Sequence, residues 1–264
     1  MLKTLIARMQ QGHRTISYPE KPPVIPDRFR GLPSIHEEKC KKECRQCIEI
    51  CPTEAISKQD KLQIDLGRCL FCDRCAEVCS TKAIQFTNDH RLSVRKREEL
   101  IADGRRLRLA TQFNEEMMRI FGRSLKLRQV SAGGCNGCEV DVNVLTTVVF
   151  DLSRFGIKIV ASPRHADGLI ITGPITENMK LALMKTYQAV PSPKLVIAIG
   201  ACAISGGPYR DHPEQNNGAD NLLPIDLYVP GCPPHPITIL DGILRLLANR
   251  SLLESDKVYQ PRIG

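Results

Sequence analysis

The chain has 264 residues, 42% of them hydrophobic, and a formal net charge of +8. This length allows one large domain or two modest ones, each with its own core. No sustained apolar run or small-residue cleavage site follows the first methionine, so we expect no signal peptide, and no stretch approaches the roughly 18–20 apolar residues of a membrane span. The positive charges do not alternate with aromatic residues, which disfavours nucleic-acid binding.

Twelve cysteines are the outlying feature of the composition. A secreted protein would pair them in disulfides, whereas a protein of the reducing cytoplasm more often uses such a set to bind metal. We therefore expect a soluble or peripheral protein that binds metal.

Residues 1–34 form the first predicted unit. One face of a short helix is predicted by apolar residues at helical spacing: Leu2, Leu5, Ile6 and Met9. Five prolines between positions 19 and 33 then prevent regular structure. We expect an extended N-terminal docking segment, with a disordered tail as the alternative.

Residues 35–90 contain an internal repeat. The stretch Cys44–Ile56 (CRQCIEICPTEAI) recurs 28 positions later as Cys72–Ile84 (CDRCAEVCSTKAI). A repeat of this kind indicates two copies of one supersecondary unit that share a core.

The eight cysteines of this region form two runs: Cys40, Cys44, Cys47 and Cys51, then Cys69, Cys72, Cys75 and Cys79. The second run has the bacterial ferredoxin spacing, in which three thiolates bind one 4Fe-4S cluster and the fourth binds the other. We assign Cys40, Cys44, Cys47 and Cys79 to cluster 1, and Cys51, Cys69, Cys72 and Cys75 to cluster 2. Three residues, not two, separate Cys40 from Cys44, so this corner departs from the pattern and a ligand at Cys40 would bind from a wider loop.

Zinc binding and a thioredoxin-type redox pair are the two alternatives to iron–sulfur clusters for these cysteines. Zinc ribbons use two separated Cys-x2-Cys pairs rather than runs of four. A thioredoxin-type redox pair would not need eight cysteines in one segment. The pattern therefore favours an α+β, two-cluster ferredoxin-like domain over residues 35–90.

Two further units follow in the chain. Residues 91–124 are predicted to be a basic helical linker because of their dense positive charge: Arg95, Lys96, Arg97, Arg105, Arg106 and Arg108. Residues 125–264 alternate apolar runs with helical stretches, which predicts an α/β domain with a parallel sheet. The predicted strands are Leu125–Val130, Ile157–Val160, Leu169–Thr172, Leu195–Ile199 and Asp226–Val229, with helices at Met179–Ala189 and Ile237–Ala248.

The last four cysteines each follow a predicted strand: Cys135 and Cys138, then Cys202, then Cys232. Loops after parallel strands emerge at one edge of the sheet, so four thiolates distant in sequence converge there on a third 4Fe-4S cluster. The alternative is a catalytic or structural Cys-x2-Cys pair with two unrelated buried cysteines. Glu139, next to Cys138, is a candidate for proton movement, or equally for a supporting or capping role.

These motifs resemble two subunits of known complexes. The stretch from Gly12 to Pro33 resembles the lead-in of the two-cluster ferredoxin subunit of complex I and of membrane-bound hydrogenases. The three cysteine motifs of residues 128–245 resemble the small, proximal-cluster subunit of energy-converting group 4 nickel–iron hydrogenase and formate hydrogenlyase complexes, related to complex I. The resemblance implies a fusion of both subunits, with a small-subunit, flavodoxin-like fold in the second domain.

The resemblance also distinguishes the hydrogenase branch from the complex I branch. Complex I members carry two adjacent cysteines at the first position, whereas Cys135-x2-Cys138 matches the hydrogenase branch. The segment Ser162–Asp167 is similar to the hydrogenase form of a stretch that lines the subunit boundary, which makes Arg164 and His165 candidate functional residues. A surface salt-bridged pair is the alternative for these two.

The resulting functional expectation is a non-catalytic electron-transfer subunit of an oxidoreductase, with three 4Fe-4S clusters. The resemblance implies a hydrogenase-type large subunit and membrane-embedded subunits as partners, at the cytoplasmic face of the membrane. A soluble electron donor or acceptor, or a formate dehydrogenase subunit, is the expected external partner. No cysteines remain for a nickel–iron centre, so hydrogen chemistry would lie on a partner. A nickel-free or quinone-reactive complex, and a zinc-stabilised interaction module without redox role, stay open as alternatives.

Overall fold

The computed structural model describes residues 2–105, 107–113, 115–122, 124–248, 252 and 261–263. Arg106 of the predicted linker lies outside the described residues, as do most positions of the predicted last domain beyond residue 248. None of the helices within the described ranges is long and apolar enough to cross a membrane.

The N-terminal segment follows the surface of the parallel-sheet domain. Helix α1 (Leu2–Gln11) confirms the predicted helix, and its apolar face is exposed, with Met9 82% accessible. Further on, the backbone N–H of Ile16 donates to the Val149 carbonyl at 2.9 Å, and the Tyr18 side chain is buried. The segment is therefore anchored to the rest of the chain beyond α1, while docking of α1 on a partner stays a prediction.

The internal repeat forms two related units. Its elements are β1 (Pro33–Ile35), α2 (Gln46–Glu49), β2 (Ile56–Lys58), β3 (Leu62–Asp65), α3 (Arg74–Glu77) and β4 (Ile84–Phe86). Strand β1 pairs antiparallel with β4, and β2 pairs antiparallel with β3. The two helices lie 28 positions apart, as do β2 and β4. Even the left-handed residues correspond, since Glu54 (φ 51°) and Lys82 (φ 54°) have the same spacing. The predicted repeat is confirmed, and it builds a ferredoxin-like domain.

Residues 91–124 differ from the expected basic helical linker. A 3-10 turn occupies Arg97–Leu100, strand β5 (Ile101–Ala102) pairs with β3, and helix α4 (Glu115–Phe121) comes last. Burial is the physical reason, because apolar side chains between the charges enter the core: Leu92, Val94, Leu100 and Ala102. Val94 also exchanges backbone hydrogen bonds of 3.1 and 2.9 Å with Tyr228. The stretch is therefore packed into the fold rather than spanning a gap.

The second domain contains a five-stranded sheet. Its strands are β6 (Leu125–Ser131), β7 (Ile157–Ile159), β8 (Gly168–Thr172), β9 (Leu195–Ile199) and β10 (Leu227–Val229). Its helices are α5 (Gly137–Val144), α6 (Glu177–Ala189), α7 (Gly200–Ser205) and α8 (Pro236–Leu246). The strand order is β10-β9-β8-β6-β7, and all neighbours are parallel. All five predicted strands are confirmed to within one residue at either end.

One face of this sheet packs against the ferredoxin-like domain. Ile171 of β8 belongs to the same buried apolar cluster as Leu66 and Leu100. The Ser205 hydroxyl adds a 2.9 Å hydrogen bond to the Gly67 carbonyl. Helix α8 lies in a second apolar cluster. Because close-packed interiors are not continuously deformable, this shared core fixes the separation of the cysteine groups in the two domains.

Candidate iron–sulfur centres

Four cysteines line one cavity in the ferredoxin-like domain. They are the predicted ligands of cluster 1: Cys40, Cys44, Cys47 and Cys79. Helix α2 holds Cys47, whereas Cys79 follows α3 in the other copy of the repeat. Cys40 reaches the same cavity in spite of its wider loop. The structure thus brings these four thiols together, and their binding to a cluster stays a prediction.

The other four cysteines of the repeat line a second cavity: Cys51, Cys69, Cys72 and Cys75. Helix α3 holds Cys75, and a left-handed residue, Phe71 (φ 53°), turns the chain between Cys69 and Cys72. Cys51 comes from the first copy of the repeat and Cys79 from the second, so the two copies exchange their fourth cysteines. This exchange is the arrangement that bacterial ferredoxin spacing predicts.

Backbone N–H groups point at the sulfur atoms of both groups. The Ala55 N–H donates to Cys51 Sγ at 3.2 Å, and the Ala83 N–H donates to Cys79 Sγ at the same distance. These two bonds are also 28 positions apart. At Cys79 burial acts to raise the thiol pKa, but hydrogen bonds from Thr81, Ala83 and Ile84 outweigh it and lower the net pKa. The site therefore favours a thiolate at this corner.

Burial has the opposite net effect at the inner cysteines. Burial first, and then the neighbouring cysteines, raise the pKa of Cys75 to about 12. Burial also raises the pKa of Cys47 and of Cys69. The inner thiols would ionise on binding a positive group, and the iron ions of a cluster would supply that charge, because metal ligation requires thiolates. The donor set and the N–H groups aimed at sulfur fit 4Fe-4S clusters.

The remaining four cysteines converge at the carboxyl edge of the parallel sheet. Cys135 and Cys138 follow β6, Cys202 lies in α7 directly after β9, and Cys232 follows β10. Burial raises the pKa of Cys138, and the charges of the other three cysteines add to the shift. Burial and then Cys232 and Cys135 raise the pKa of Cys202 to about 12. This mutual influence indicates that the four thiols lie near one another, and the same donor chemistry fits a third cluster, whose binding stays a prediction.

Glycines make room for these sulfur atoms. Gly200 has φ +88°, and a Cβ at this position would lie 2.5 Å from Cys138 Sγ. Gly207 has φ +55°, and a Cβ there would lie 2.8 Å from Cys202 Sγ. Only glycine satisfies both the backbone conformation and the close approach of sulfur at these positions.

Glu139 is buried beside the third group. Its Oε1 accepts hydrogen bonds from the Ser131 hydroxyl at 2.6 Å and from the Thr172 hydroxyl at 2.7 Å. Ser131 and Thr172 end strands β6 and β8, and neither residue was predicted from the sequence as part of the site. The available signal was one hydroxyl residue directly after the first predicted strand and another at the end of the third, since the ends of neighbouring parallel strands meet.

The other two candidate residues occupy a different environment. Arg164 and His165 lie on the 3-10 turn Pro163–His165 after β7, and both are exposed. Their functional role stays a prediction.

The second and third cysteine groups face each other across the domain boundary. Desolvation first, then Cys135 and Cys72, raise the pKa of the Cys232 thiol, and Cys72 belongs to the second group. A cavity at this boundary is lined by Phe71 on one side and by Cys232 and Pro233 on the other. Electrons that moved between these groups would cross this boundary.

The first and second groups each surround a cavity rather than a single point. Among the described residues, no three or more His, Cys, Asp or Glu side chains are arranged to hold one metal ion. A zinc site would place each sulfur about 2.3 Å from one ion, whereas a 4Fe-4S cluster distributes four thiolates over four irons.

Known proteins match both halves of the chain. Residues 39–83 match the 4Fe-4S dicluster domain, and residues 135–246 match the family described as NADH ubiquinone oxidoreductase, 20 kDa subunit. A probable membrane-bound hydrogenase subunit of Pyrococcus furiosus is 42% identical over 132 residues, which cover 50% of this chain and 79% of that subunit. The chain belongs to the NADH ubiquinone oxidoreductase 20 kDa subunit family.

Two other relatives are named as subunits of two kinds of complex. Formate hydrogenlyase subunit 7 of Escherichia coli is 44% identical over 125 residues, 47% of this chain and 49% of that protein. NAD(P)H-quinone oxidoreductase subunit K of Prochlorococcus marinus is 44% identical over 127 residues, 47% of this chain and 52% of that protein. The chain thus spans about half the length of these two relatives. With its dicluster domain, this family member is an iron–sulfur electron-transfer subunit of a hydrogenase-like or complex I-like oxidoreductase.

Proposed function

We propose that this chain carries electrons through three 4Fe-4S clusters to or from the active site of a hydrogenase-type large subunit in a membrane-bound complex. The observation that supports the proposal is the gathering of all twelve cysteines into three groups of four. When bound, the clusters supply one-electron redox centres. The proposed ligands are Cys40, Cys44, Cys47 and Cys79, then Cys51, Cys69, Cys72 and Cys75, then Cys135, Cys138, Cys202 and Cys232.

The chain's own residues position the cysteine groups and stabilise the negative charge of the thiolates. The repeat positions the first two groups, and the shared apolar core holds them against the parallel sheet. The proximity of Cys72 and Cys232 supports an order in which the second group lies next to the third. Backbone N–H groups on Cys51 and Cys79 stabilise thiolate charge.

The proposed partner lies beside the third group. Cys135 and Cys232 are exposed, so a large subunit can approach these thiols closely. The separated Cys135-x2-Cys138 pair and the hydrogenase-named relatives support a hydrogenase-type partner. All twelve cysteines belong to the three groups, which leaves none for a nickel–iron centre, so the proposal makes this chain a non-catalytic subunit. Its proposed location is peripheral, at the cytoplasmic face of the membrane. A soluble carrier or a formate dehydrogenase subunit would be its external partner.

A second candidate function uses the same relay in a nickel-free or quinone-reactive complex. The similarity to NAD(P)H-quinone oxidoreductase subunit K favours it. The two candidates differ in the acceptor beside the third group and share every residue assignment on this chain.

Metal analysis of the anaerobically purified full chain tests the proposal. Three clusters require about twelve iron and twelve sulfide, four of each per cluster. The Cys138→Ser variant should lose about four of each, while the reduced protein keeps the electron paramagnetic resonance (EPR) signals of the ferredoxin-like pair. About eight irons in the wild type would remove one cluster from the proposal, and a colourless zinc protein would replace it with an interaction module.

A further inference from the structure

Lys58, the last residue of β2, places its ammonium group in the Cys40–Cys44 loop. The Nζ donates to the Lys41 carbonyl at 2.7 Å, to the Lys42 carbonyl at 3.0 Å and to Cys40 Sγ at 3.2 Å. An ammonium group has three N–H donors, so this one loop engages all of them. Fixing a long lysine side chain costs rotamer entropy, and three simultaneous acceptors offset that cost.

The loop that Lys58 binds is the one with the additional residue. In the second cysteine run only two residues separate Cys69 from Cys72, and the Phe71 N–H donates to Cys69 Sγ at 3.3 Å. At the corresponding corner of the first run, Cys40 Sγ accepts its hydrogen bond from the Lys58 ammonium. A charged side chain thus supports the wider loop where a backbone group supports the shorter one.

The repeat provides an internal comparison for this lysine. The position 28 residues after Lys58 is Phe86, the last residue of β4. Phe86 is buried, lines the second cavity, and lies with its ring centroid 6.0 Å from that of Phe71. The same position of the repeat therefore carries a cation beside the first group and an apolar ring beside the second.

We propose that Lys58 is a positioning residue of the first centre: it ties the wide Cys40–Cys44 loop to β2 and holds a positive charge against the Cys40 thiolate, which makes reduction of cluster 1 easier. This inference rests on the proposed function, because it requires a 4Fe-4S cluster at Cys40, Cys44, Cys47 and Cys79. Reduction adds one electron to that centre, with no proton transferred and no bond broken. The added negative charge is stabilised by the ammonium, since net charge and hydrogen bonds to sulfur set cluster potentials.

Two variants of the anaerobic full chain, Lys58→Met and Lys58→Gln, distinguish the hydrogen bonds that hold the loop from the positive charge. Glutamine keeps N–H donors for the two carbonyls but removes the charge, whereas methionine removes both. Lys61→Met is the matched control, because Lys61 is an exposed lysine just before β3. Iron and sulfide are measured first, and an EPR-monitored redox titration follows.

We expect Lys58→Gln to keep about twelve irons and to shift one reduction potential to a more negative value, with the other two unchanged. The shifted signal should be the one that Cys47→Ser abolishes. Lys61→Met should titrate like the wild type. Loss of about four irons from Lys58→Met, with full iron in Lys58→Gln and in Lys61→Met, would support the role of the hydrogen bonds that hold the loop.

Two results would overturn the inference while leaving the relay intact. One is full iron with wild-type potentials in both Lys58 variants. The other is an equal shift of the reduction potential in Lys61→Met, which would show that the effect comes from general surface charge. A wild-type chain that binds no iron would instead refute the proposed function itself, before any lysine variant is compared.

Discussion

The Tyr18 hydroxyl donates a 2.7 Å hydrogen bond to Asp241, a fully buried carboxylate 223 positions further along the chain. Asp241 also accepts bonds of 2.7 and 3.0 Å from Arg245 within α8. His90, at the end of the predicted ferredoxin-like domain, lies with Nε2 3.3 Å from the Tyr18 hydroxyl. Three distant segments therefore meet in one buried polar network, which holds the N-terminal segment against both domains.

Replacing Tyr18 with phenylalanine tests this network. The ring still fills its site, but the buried carboxylate loses a donor, so we expect the free energy of unfolding to fall by about 1.5–3 kcal/mol. Urea denaturation of the anaerobic full chain measures the change. Tyr209→Phe is the control, since Tyr209 is 50% exposed and its loss should cost less than about 0.5 kcal/mol. Equal effects of the two variants would contradict a stabilising role for the Tyr18–Asp241 bond.

The same network predicts a loss of stability in acid. Burial lowers the pKa of His90, against the opposing effect of the Asp241 and Asp89 carboxylates. Below about pH 6.5 the unfolded chain protonates this histidine while the folded chain does not. Protonation then favours the unfolded state. The stability that neutral His90 contributes is therefore fully present above about pH 6.5 and is lost as the pH falls toward the folded pKa.

Urea unfolding across this pH range measures the effect. His90→Gln should show a smaller loss of stability in acid than the wild type. His165→Gln is the control, because His165 is exposed and lies outside this buried network. An unchanged slope in His90→Gln would show that other groups govern the acid response.

The sequence predicted those parts of the fold that depend on local patterns. Fully buried strands such as Leu195–Ile199 are recognisable as short apolar runs, and the 28-residue offset of Cys44–Ile56 recurs in helices, strands and N–H···S bonds. Side-chain contacts between distant segments were not predictable. Neither the bond from Tyr18 to Asp241 nor that from Lys58 to Cys40 leaves a local pattern. The helical expectation for residues 91–124 was wrong over most of its length, because charge density concealed apolar residues that enter the core.

A methyl group at Gly200 should disturb the third centre alone. Its Cβ would approach Cys138 Sγ to 2.5 Å, and a φ of +88° is strained for alanine. We expect Gly200→Ala to lose about four irons while the ferredoxin-like pair keeps its EPR signals. Gly137→Ala is the matched control, because a Cβ there meets its nearest atoms, including Cys135 Sγ, at an ordinary 3.6 Å. Equal iron loss in both variants would indicate that the glycine at position 200 has no special role.

The last prediction concerns the acceptor beside the third centre. We expect the intact complex to contain nickel in its large subunit and to reduce a dye with hydrogen. The separated Cys135-x2-Cys138 pair and the similarity to hydrogenase-named subunits motivate this expectation. Both are properties of the small subunit, however, and would persist if a large subunit had lost its metal.

The measurement therefore has to be made on the purified complex rather than on this chain. One nickel per complex, together with hydrogen-dependent dye reduction, would support a hydrogenase. Full iron without nickel would favour the quinone-reactive alternative, to which the similarity with subunit K points. If nickel is present, the Cys138→Ser variant is the decisive control. It leaves the large subunit's own sequence untouched, so nickel content should persist while dye reduction through this chain is lost. Dye reduction that survives Cys138→Ser would mean that electrons leave the large subunit by a route that does not pass the sheet edge of this chain.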